Sequence, residues 1–215
     1  LLLYQPYPYV NASQDKTSGV DVDMKARLWD TAEAGRLTAE LNYTHVIQFD
    51  LLAYGVTYDL AGTHGPSGVS GDTGNPKDRA SLSLTWDRGP ASVTGTLNYI
   101  GSFSITDPSA TNQGTCAGAL VSNLTLEYFV KFVSSANVPT QYCTVASFTD
   151  VDLYGRYIIG NNLQLHASVL NVFNTPPPLD VVTYGGGGGA AYDAAMHQAG
   201  AVGRFYTVGL TYKFQ

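Results

Sequence analysis

The sequence predicts an all-β fold, an antiparallel transmembrane β-barrel segment of about eight strands. Three observations support this: segments of about ten residues alternate apolar and polar side chains, few residues are charged, and short and long connections alternate. The clearest alternation lies at the end of the chain, where one face of 202–214 carries Tyr206, Val208, Leu210, Tyr212 and Phe214. So long a strand leaves an open edge, so we expect it to close against another strand.

The composition separates a membrane barrel from other classes of protein. Only 13% of the 215 residues are charged, about half the usual share, and Thr, Ser, Asn, Gly and Tyr replace the missing charges. Fifteen Tyr against eight Phe fit aromatic girdles at the membrane interfaces. The sequence has no apolar run long enough for a helical span, and its net charge of −6 argues against nucleic-acid binding, which needs Lys and Arg.

Eight segments carry the alternation, and most are long enough to cross a bilayer as tilted strands. In chain order they are 4–13, 20–28, 37–48, 79–86, 92–99, 150–157, 163–169 and 202–214. The first is the least regular because Pro6 and Pro8 interrupt it. The second is the cleanest, with Val, Met, Ala and Leu opposite Asp, Lys and Arg.

The connections between these segments predict two unlike ends. The links 30–35, 87–90 and 160–162 are short and rich in turn residues, whereas 51–77, 106–146 and 174–201 are long and rich in Gly. In an antiparallel meander, alternate connections emerge at opposite ends. Outer-membrane barrels have short periplasmic turns and long extracellular loops, which places the C-terminus on the periplasmic side. The predicted link 14–19 is the one short connection on the long-loop side.

Residues 165–177 read Leu-His-Ala-Ser-Val-Leu-Asn-Val-Phe-Asn-Thr-Pro-Pro. They resemble the penultimate strand of TonB-dependent outer-membrane receptors, which commonly has Val-x-Asn-Leu-Phe-Asp/Asn followed by Pro. Residues 203–214 are similar to the family's closing strand with its terminal aromatic, although Gln215 follows it here. Segments 18–23 and 78–86 are similar to strands from the middle of such barrels.

This resemblance implies the C-terminal part of a barrel of about 22 strands, with the plug domain and the N-terminal strands outside this sequence. It implies a receptor in the outer membrane of a Gram-negative bacterium, not an enzyme, that needs no cofactor. The expected function is import of a scarce nutrient such as a ferric siderophore, cobalamin or a carbohydrate. The expected partners are outer-membrane lipid, the barrel assembly machinery, and the TonB complex through the missing N-terminal region.

Two other interpretations remain open from the sequence. A complete small eight-stranded barrel would pair 4–13 directly with 202–214. A secreted β-sandwich binding module would also alternate apolar and polar residues, although its strands are usually shorter than these.

No constellation of residues predicts catalysis or a metal site. Residues 65–71 miss a nucleophile elbow by one position, and the glycines of 185–189 lack the lysine of a phosphate loop. The four histidines lack metal-ligand spacing. The pairs Asp21/Asp23 and Asp150/Asp152 each share one strand face with basic residues, which favours a hydrated charge ladder.

The long loops are the predicted place of ligand capture, because loops on a rigid scaffold often carry binding residues. Their aromatic and histidine side chains, which we predict as substrate contacts collectively, are Tyr54, Tyr58, His64, Tyr142, Tyr184, Tyr192 and His197. The two cysteines, Cys116 and Cys143, lie in one long loop and are candidates for a disulfide, with two free thiols as the alternative.

Overall fold

A computed structural model of the protein describes residues 13–53, 55–64, 74–106, 115–116, 140–180 and 192–214. Its regular structure consists mainly of β-strands. In chain order they are β1 Ser13–Thr31, β2 Gly35–Ala53, β3 Val56–Asp59, β4 Asp78–Arg88, β5 Ala91–Ile100, β6 Phe103–Ser104, β7 Thr144–Val145, β8 Phe148–Ile159, β9 Leu163–Leu170 and β10 Phe205–Tyr212. A 3-10 turn, Thr140–Tyr142, and a short helix α1, Gln198–Val202, complete the regular structure of the described residues.

One antiparallel sheet holds eight of these strands. Its order is β1-β2-β4-β5-β8-β9-β10, and β3 folds back onto the end of β2. The sheet is therefore an up-and-down meander, as the sequence predicts, in which each backbone ladder joins strands that are close in the chain. Strands β6 and β7 pair with each other in a separate two-stranded sheet.

The two faces of the main sheet differ in chemistry from end to end. One continuous row of paired residues across five strands is apolar: Met24, Leu41, Leu82, Leu97 and Val151. The next row, on the opposite face, is polar: Lys25, Glu40, Ser83, Thr96 and Asp152. We call these sides the apolar face and the polar face.

The apolar face is not buried against any other described part of the chain. Met24 is 59% exposed and Leu82 38% exposed, although both lie in the middle of their strands. A soluble β-sandwich would cover this face with a second sheet. An uncovered apolar face opposite a polar one is instead what a strand between lipid and an aqueous lumen requires.

The short connections lie at one end of the sheet, which we call the turn end, and the long ones at the other, the loop end. The predicted short turns are confirmed, since β1–β2, β4–β5 and β8–β9 are each joined by two or three residues. Gly35 has a φ of +78°, and a Cβ there would lie 2.3 Å from the carbonyl oxygen of Asp87. Only glycine fits this turn.

The predicted link 14–19 is wrong, because β1 runs unbroken through it from Ser13 to Thr31. The strand passes this point through a bulge between Ser18 and Gly19. At Gly19 a Cβ would lie 2.6 Å from the carbonyl oxygen of His45. The glycine that suggests a turn therefore marks a bulge, where the two backbones approach closely.

The other differences concern strand limits. The predicted closing strand 202–214 begins later, at Phe205, because Val202 ends helix α1 and Gly203 adopts a φ of +74°. Strand β2 continues past its predicted end to Ala53, where it pairs with β3. The predicted first strand 4–13 lies outside the described residues apart from Ser13.

Strands β1 and β10 end the sheet, and among the described residues each pairs with a single neighbour, β2 and β9 respectively. These residues therefore form an open segment of sheet. Because an unpaired ladder is unstable in lipid, each edge requires a partner strand in the membrane.

The assignment of the apolar face to lipid predicts that a charged side chain on this face destabilises the folded barrel. Replacing Leu82 by Lys in the full-length protein places an ammonium group near the middle of this face. We expect the folded barrel to lose about 2–4 kcal/mol in phospholipid vesicles, measured by urea unfolding. The matched control is Ser83→Lys on the polar face, expected to change stability by no more than about 0.5 kcal/mol. Equal losses for the two variants would contradict the assignment.

Candidate ligand-binding site at the loop end

Residues of the long connections pack into a small core at the loop end. Phe103, Ile105, Val145 and Phe148 are each no more than 3% exposed. Strands β6 and β7 hold two of these side chains, and the amide of Ile105 donates to the carbonyl of Cys143 at 3.2 Å. We call this group the loop core. It fixes the positions of the neighbouring loop segments on the strands.

His64 joins two separate connections inside this core. Its Nε2 lies 2.9 Å from both carboxylate oxygens of Asp180, and both side chains are fully buried. The backbone of His64 also bridges to Gly74, where a Cβ would lie 2.2 Å from the ring of Phe103. The sequence predicts His64 as a substrate contact, whereas the structure places it in the interior as a strut between β3 and the segment after β9.

His197 occupies the other side of the core. Its ring stacks on Phe103 with centroids 6.4 Å apart and meets Phe148 edge to face at 5.5 Å. Both ring nitrogens are buried without a hydrogen-bond partner in the described part of the chain. Burial lowers the pKa of His197, while the carboxylates of Asp193 and Asp180 act in the opposite direction. The neutral ring therefore packs as an aromatic side chain.

Asn171 ties the segment after β9 to helix α1. It is fully buried and adopts a left-handed φ of +47°. Its side-chain amide donates to the carbonyls of Thr175 at 2.9 Å and Ala199 at 3.1 Å, and its oxygen accepts from the amide of Thr175 at 2.8 Å. This residue belongs to the motif in 165–177, and the structure gives it a structural role.

Several charged residues of the polar face form ion pairs, two across neighbouring strands and one within β1. Their ion pairs are Lys25–Glu40 at 3.0 Å, Arg36–Asp87 at 3.0 Å and Arg27–Asp30 at 3.3 Å. Asp150 and Asp152 both accept from Asn98, at 3.1 and 3.2 Å. The acidic pairs are thus held by cross-strand hydrogen bonds, and each exposed ion pair contributes at most about 1 kcal/mol.

Two open cavities lie on the polar face. The turn-end cavity, about 510 Å³, is lined by the paired charges Lys25, Arg27, Arg36, Glu40 and Asp87, with Thr38, Ser83 and Thr85. The loop-end cavity, about 480 Å³, is lined by Thr17, Thr44, Val46, Phe49, Asn75, Pro76, Lys77 and Arg79. Both have the size of a small-molecule site, and the second opens beside the loop core.

The remaining predicted substrate residues are scattered around the loop end. Tyr58 pairs with Leu51 at the β2–β3 hairpin, Tyr142 ends the 3-10 turn and Tyr192 lies just before Asp193. All three are half-buried. Tyr54 and Tyr184 lie outside the described residues. The structure does not gather the predicted set into a single pocket.

The structure contains a disulfide between Cys116 and Cys143. It anchors part of the long connection beside the 3-10 turn. Among the described residues, no three His, Cys, Asp or Glu side chains cluster as ligands for a metal ion.

Sequence reasoning missed Asn75, Lys77 and Arg79 as candidate binding residues. Arg79 appears only as a polar position on a predicted strand, and Lys77 as the end of a long connection. The available signal was two basic residues, Lys77 and Arg79, spaced by two at the start of a strand, which places both side chains on one face.

The fold and its two faces define the class of this protein, an outer-membrane β-barrel protein. No helix within the described ranges is long and apolar enough to cross a membrane. A family model described as TonB dependent receptor-like, beta-barrel, matches residues 2–172, and the chain belongs to this family. It is therefore a protein of the Gram-negative outer membrane, from a family of transporters rather than enzymes.

Several solved structures are similar to this chain. A variant of the ferric enterobactin receptor from Pseudomonas aeruginosa is 20% identical, with a TM-score of 0.50 over 92% of this chain and 22% of that one. The copper transporter OprC is 16% identical, with a TM-score of 0.39 over 95% of this chain and 28% of that one. The chain thus spans about a quarter of the length of these proteins. It has no significant match among curated protein sequences.

The His64–Asp180 pair predicts a specific effect of breaking the strut. Asp180→Ala leaves the Nε2 of His64 buried without its carboxylate partner, so we expect the loop core to lose about 1–3 kcal/mol of local stability. Hydrogen exchange of the amides in 60–64 and 103–106 measures this loss in the full-length protein. The control, Asp30→Ala, breaks an exposed pair and should cost less than about 1 kcal/mol. Unchanged exchange in Asp180→Ala would contradict the strut.

Burial of neutral His197 predicts a dependence on pH. Because its pKa is lower in the folded protein than the unfolded value of about 6.5, the unfolded state binds the proton more readily. The stability that this residue contributes is full above about pH 6.5 and falls as the pH drops below it. We expect faster hydrogen exchange of 195–203 at pH 5 than at pH 7.5, after correction for intrinsic rates. His197→Phe should reduce this difference, and an equal difference in both proteins would contradict the assignment.

Proposed function

We propose that this chain is the C-terminal portion of the barrel of a TonB-dependent outer-membrane receptor that imports a scarce nutrient. The nutrient classes that fit are a ferric siderophore, cobalamin or a carbohydrate. In this proposal the plug domain and the N-terminal strands lie outside this sequence. Energy for import comes from the TonB complex, which contacts the missing N-terminal region.

The observation that carries the proposal is an open meander with an apolar and a polar face in a chain that matches the receptor-like barrel family. Both end strands of the described sheet still need neighbours, which the remaining strands of a larger barrel supply. The polar face then lines the lumen, and the loop end stands at the outer surface. Outer-membrane lipid contacts the apolar face, and the barrel assembly machinery inserts the strands.

The two other interpretations are less well supported. In a complete eight-stranded barrel the sheet would close on itself, whereas the described strands β1 and β10 do not pair with each other. In a β-sandwich, a second sheet would cover Leu82 and its apolar neighbours, and within the described ranges none does.

Uptake assays in cells test the proposal. The full-length gene is expressed in a strain that lacks its own receptors, with and without a functional tonB gene. Uptake of radiolabelled ferric siderophores, cobalamin and maltodextrins is then measured. Ferric siderophores come first, because one protein with this fold is named a ferric enterobactin receptor. We expect energy-dependent uptake of one ligand, abolished in the strain without TonB.

Three results would overturn the proposal. Uptake that is equal with and without TonB would indicate a passive pore. A gene that encodes a signal peptide directly before Leu1, with no plug-like domain, would favour the small barrel. Release of the protein from membranes by carbonate would favour a soluble module over either barrel.

A further inference from the structure

The loop-end cavity differs in charge from the rest of the polar face. Among the described residues, its two charged lining residues are both basic, Lys77 and Arg79, and no carboxylate of these residues lines it. In the part of the chain that the structure describes, neither of them lies within 4.0 Å of a carboxylate. Each of the three lining cations of the turn-end cavity, in contrast, is paired with an acidic residue.

The strands hold the backbone of both basic residues in place, and Gly62 leaves room for the Lys77 stem. The carbonyl of Lys77 accepts from the amide of Val46 at 2.8 Å. The Lys77 stem runs beside Gly62, where a Cβ would lie 3.1 Å from its Cε. Arg79 pairs with Thr44 inside the β2–β4 ladder. A site built on such supported positions loses less conformational freedom when a ligand binds.

Backbone hydrogen bonds connect this cavity to the buried strut. The amide of Asn75 donates to the carbonyl of Thr63 at 2.8 Å, and the amide of Gly62 donates to the carbonyl of Asn75 at 2.7 Å. Thr63 directly precedes His64, which Asp180 holds. The strut therefore fixes the segment that carries Asn75 and Lys77.

The rest of the lining is apolar or uncharged. Phe49, Val46 and Pro76 offer hydrocarbon surface, and Thr17 and Thr44 offer hydroxyl groups. Such a lining fits a ligand whose anionic oxygens are carried on an organic frame. A bare inorganic anion would leave the apolar wall unused, and a neutral sugar would leave both cations without a counter-charge.

We propose that the loop-end cavity is a ligand subsite for an anionic organic nutrient or its anionic metal complex. Lys77 and Arg79 bind the acidic oxygens, and Phe49 and Pro76 pack against the carbon frame. This inference rests on the proposed import function, because it assigns the ligand class of that receptor. It selects an anionic ligand over neutral carbohydrates, cobalamin and neutral iron complexes.

Binding to the purified full-length receptor in detergent tests this without any transport step. The probes are two anionic complexes, ferric citrate and a ferric tris-catecholate, and three neutral ones, a ferric trihydroxamate, cyanocobalamin and maltohexaose. We expect an anionic complex to bind most tightly. Its affinity should fall at least about tenfold between 0.05 and 1 M NaCl, because salt screens charges at an open site.

Charge variants locate the site. The double variant Lys77→Gln/Arg79→Gln should weaken the bound anionic probe at least about tenfold, and each single variant less. The substitution Asp21→Asn changes the charge near the cavity in the opposite direction. It removes a carboxylate that accepts from the Thr44 hydroxyl at 2.6 Å beside the cavity. It should tighten binding about two- to threefold. The matched control is Lys25→Gln in the turn-end cavity, which should leave the affinity unchanged.

The results separate this inference from the import function. Tightest binding of a neutral probe, failure of both anionic probes to bind, or equal affinity in the double variant would each overturn the subsite. TonB-dependent uptake of a neutral ligand would then leave the import function standing. Conversely, salt-sensitive anion binding that depends on Lys77 and Arg79, without TonB-dependent uptake, would support the subsite and overturn energised import.

Discussion

The structure depends on one constraint: in lipid, every backbone amide and carbonyl must find its partner on a neighbouring strand. The continuous antiparallel ladders from β1 to β10 meet this requirement across the main sheet. Side chains are then free to differ between the faces, with Leu82 toward lipid and Ser83 toward the lumen. At the bulge beside Gly19 the register between β1 and β2 shifts, and the antiparallel pairing continues on both sides of it.

At the loop end, water replaces lipid, and side chains take over the stabilising role of the ladder. Phe103 lies between two histidines, with His64 bound to Asp180 and His197 packed as a neutral ring. Burying a polar side chain without a hydrogen-bond partner has a desolvation cost, so this strut stabilises the loops only while both partners remain. Through Thr63 and Asn75, the same packing supports the wall that carries Lys77. The stability of the loop core and the position of Lys77 are therefore coupled in this arrangement.

Much of this architecture is predictable because a barrel strand repeats a simple period. Alternation of residue types gives seven of the eight predicted strands, the three short turns and the two faces. The family resemblance rests on motifs near the C-terminus, although the family match itself ends at Val172. The sequence is less informative where glycine has two meanings. Gly19 looks like a turn residue but forms a bulge, and Gly203 ends a helix inside the predicted closing strand.

The sequence by itself determined the fold class, the sidedness of the connections and the membrane location, because all three follow from local patterns along single strands. Only the tertiary structure decided which loop residues are exposed. His64 and His197 look like ligand contacts in the sequence, yet they lie in the core, because partners such as Asp180, 116 positions away, fold over them. Lys77 and Arg79 carry only a weak sequence signal, two basic residues spaced by two. Among the described residues neither lies within 4.0 Å of a carboxylate, which only the folded structure shows.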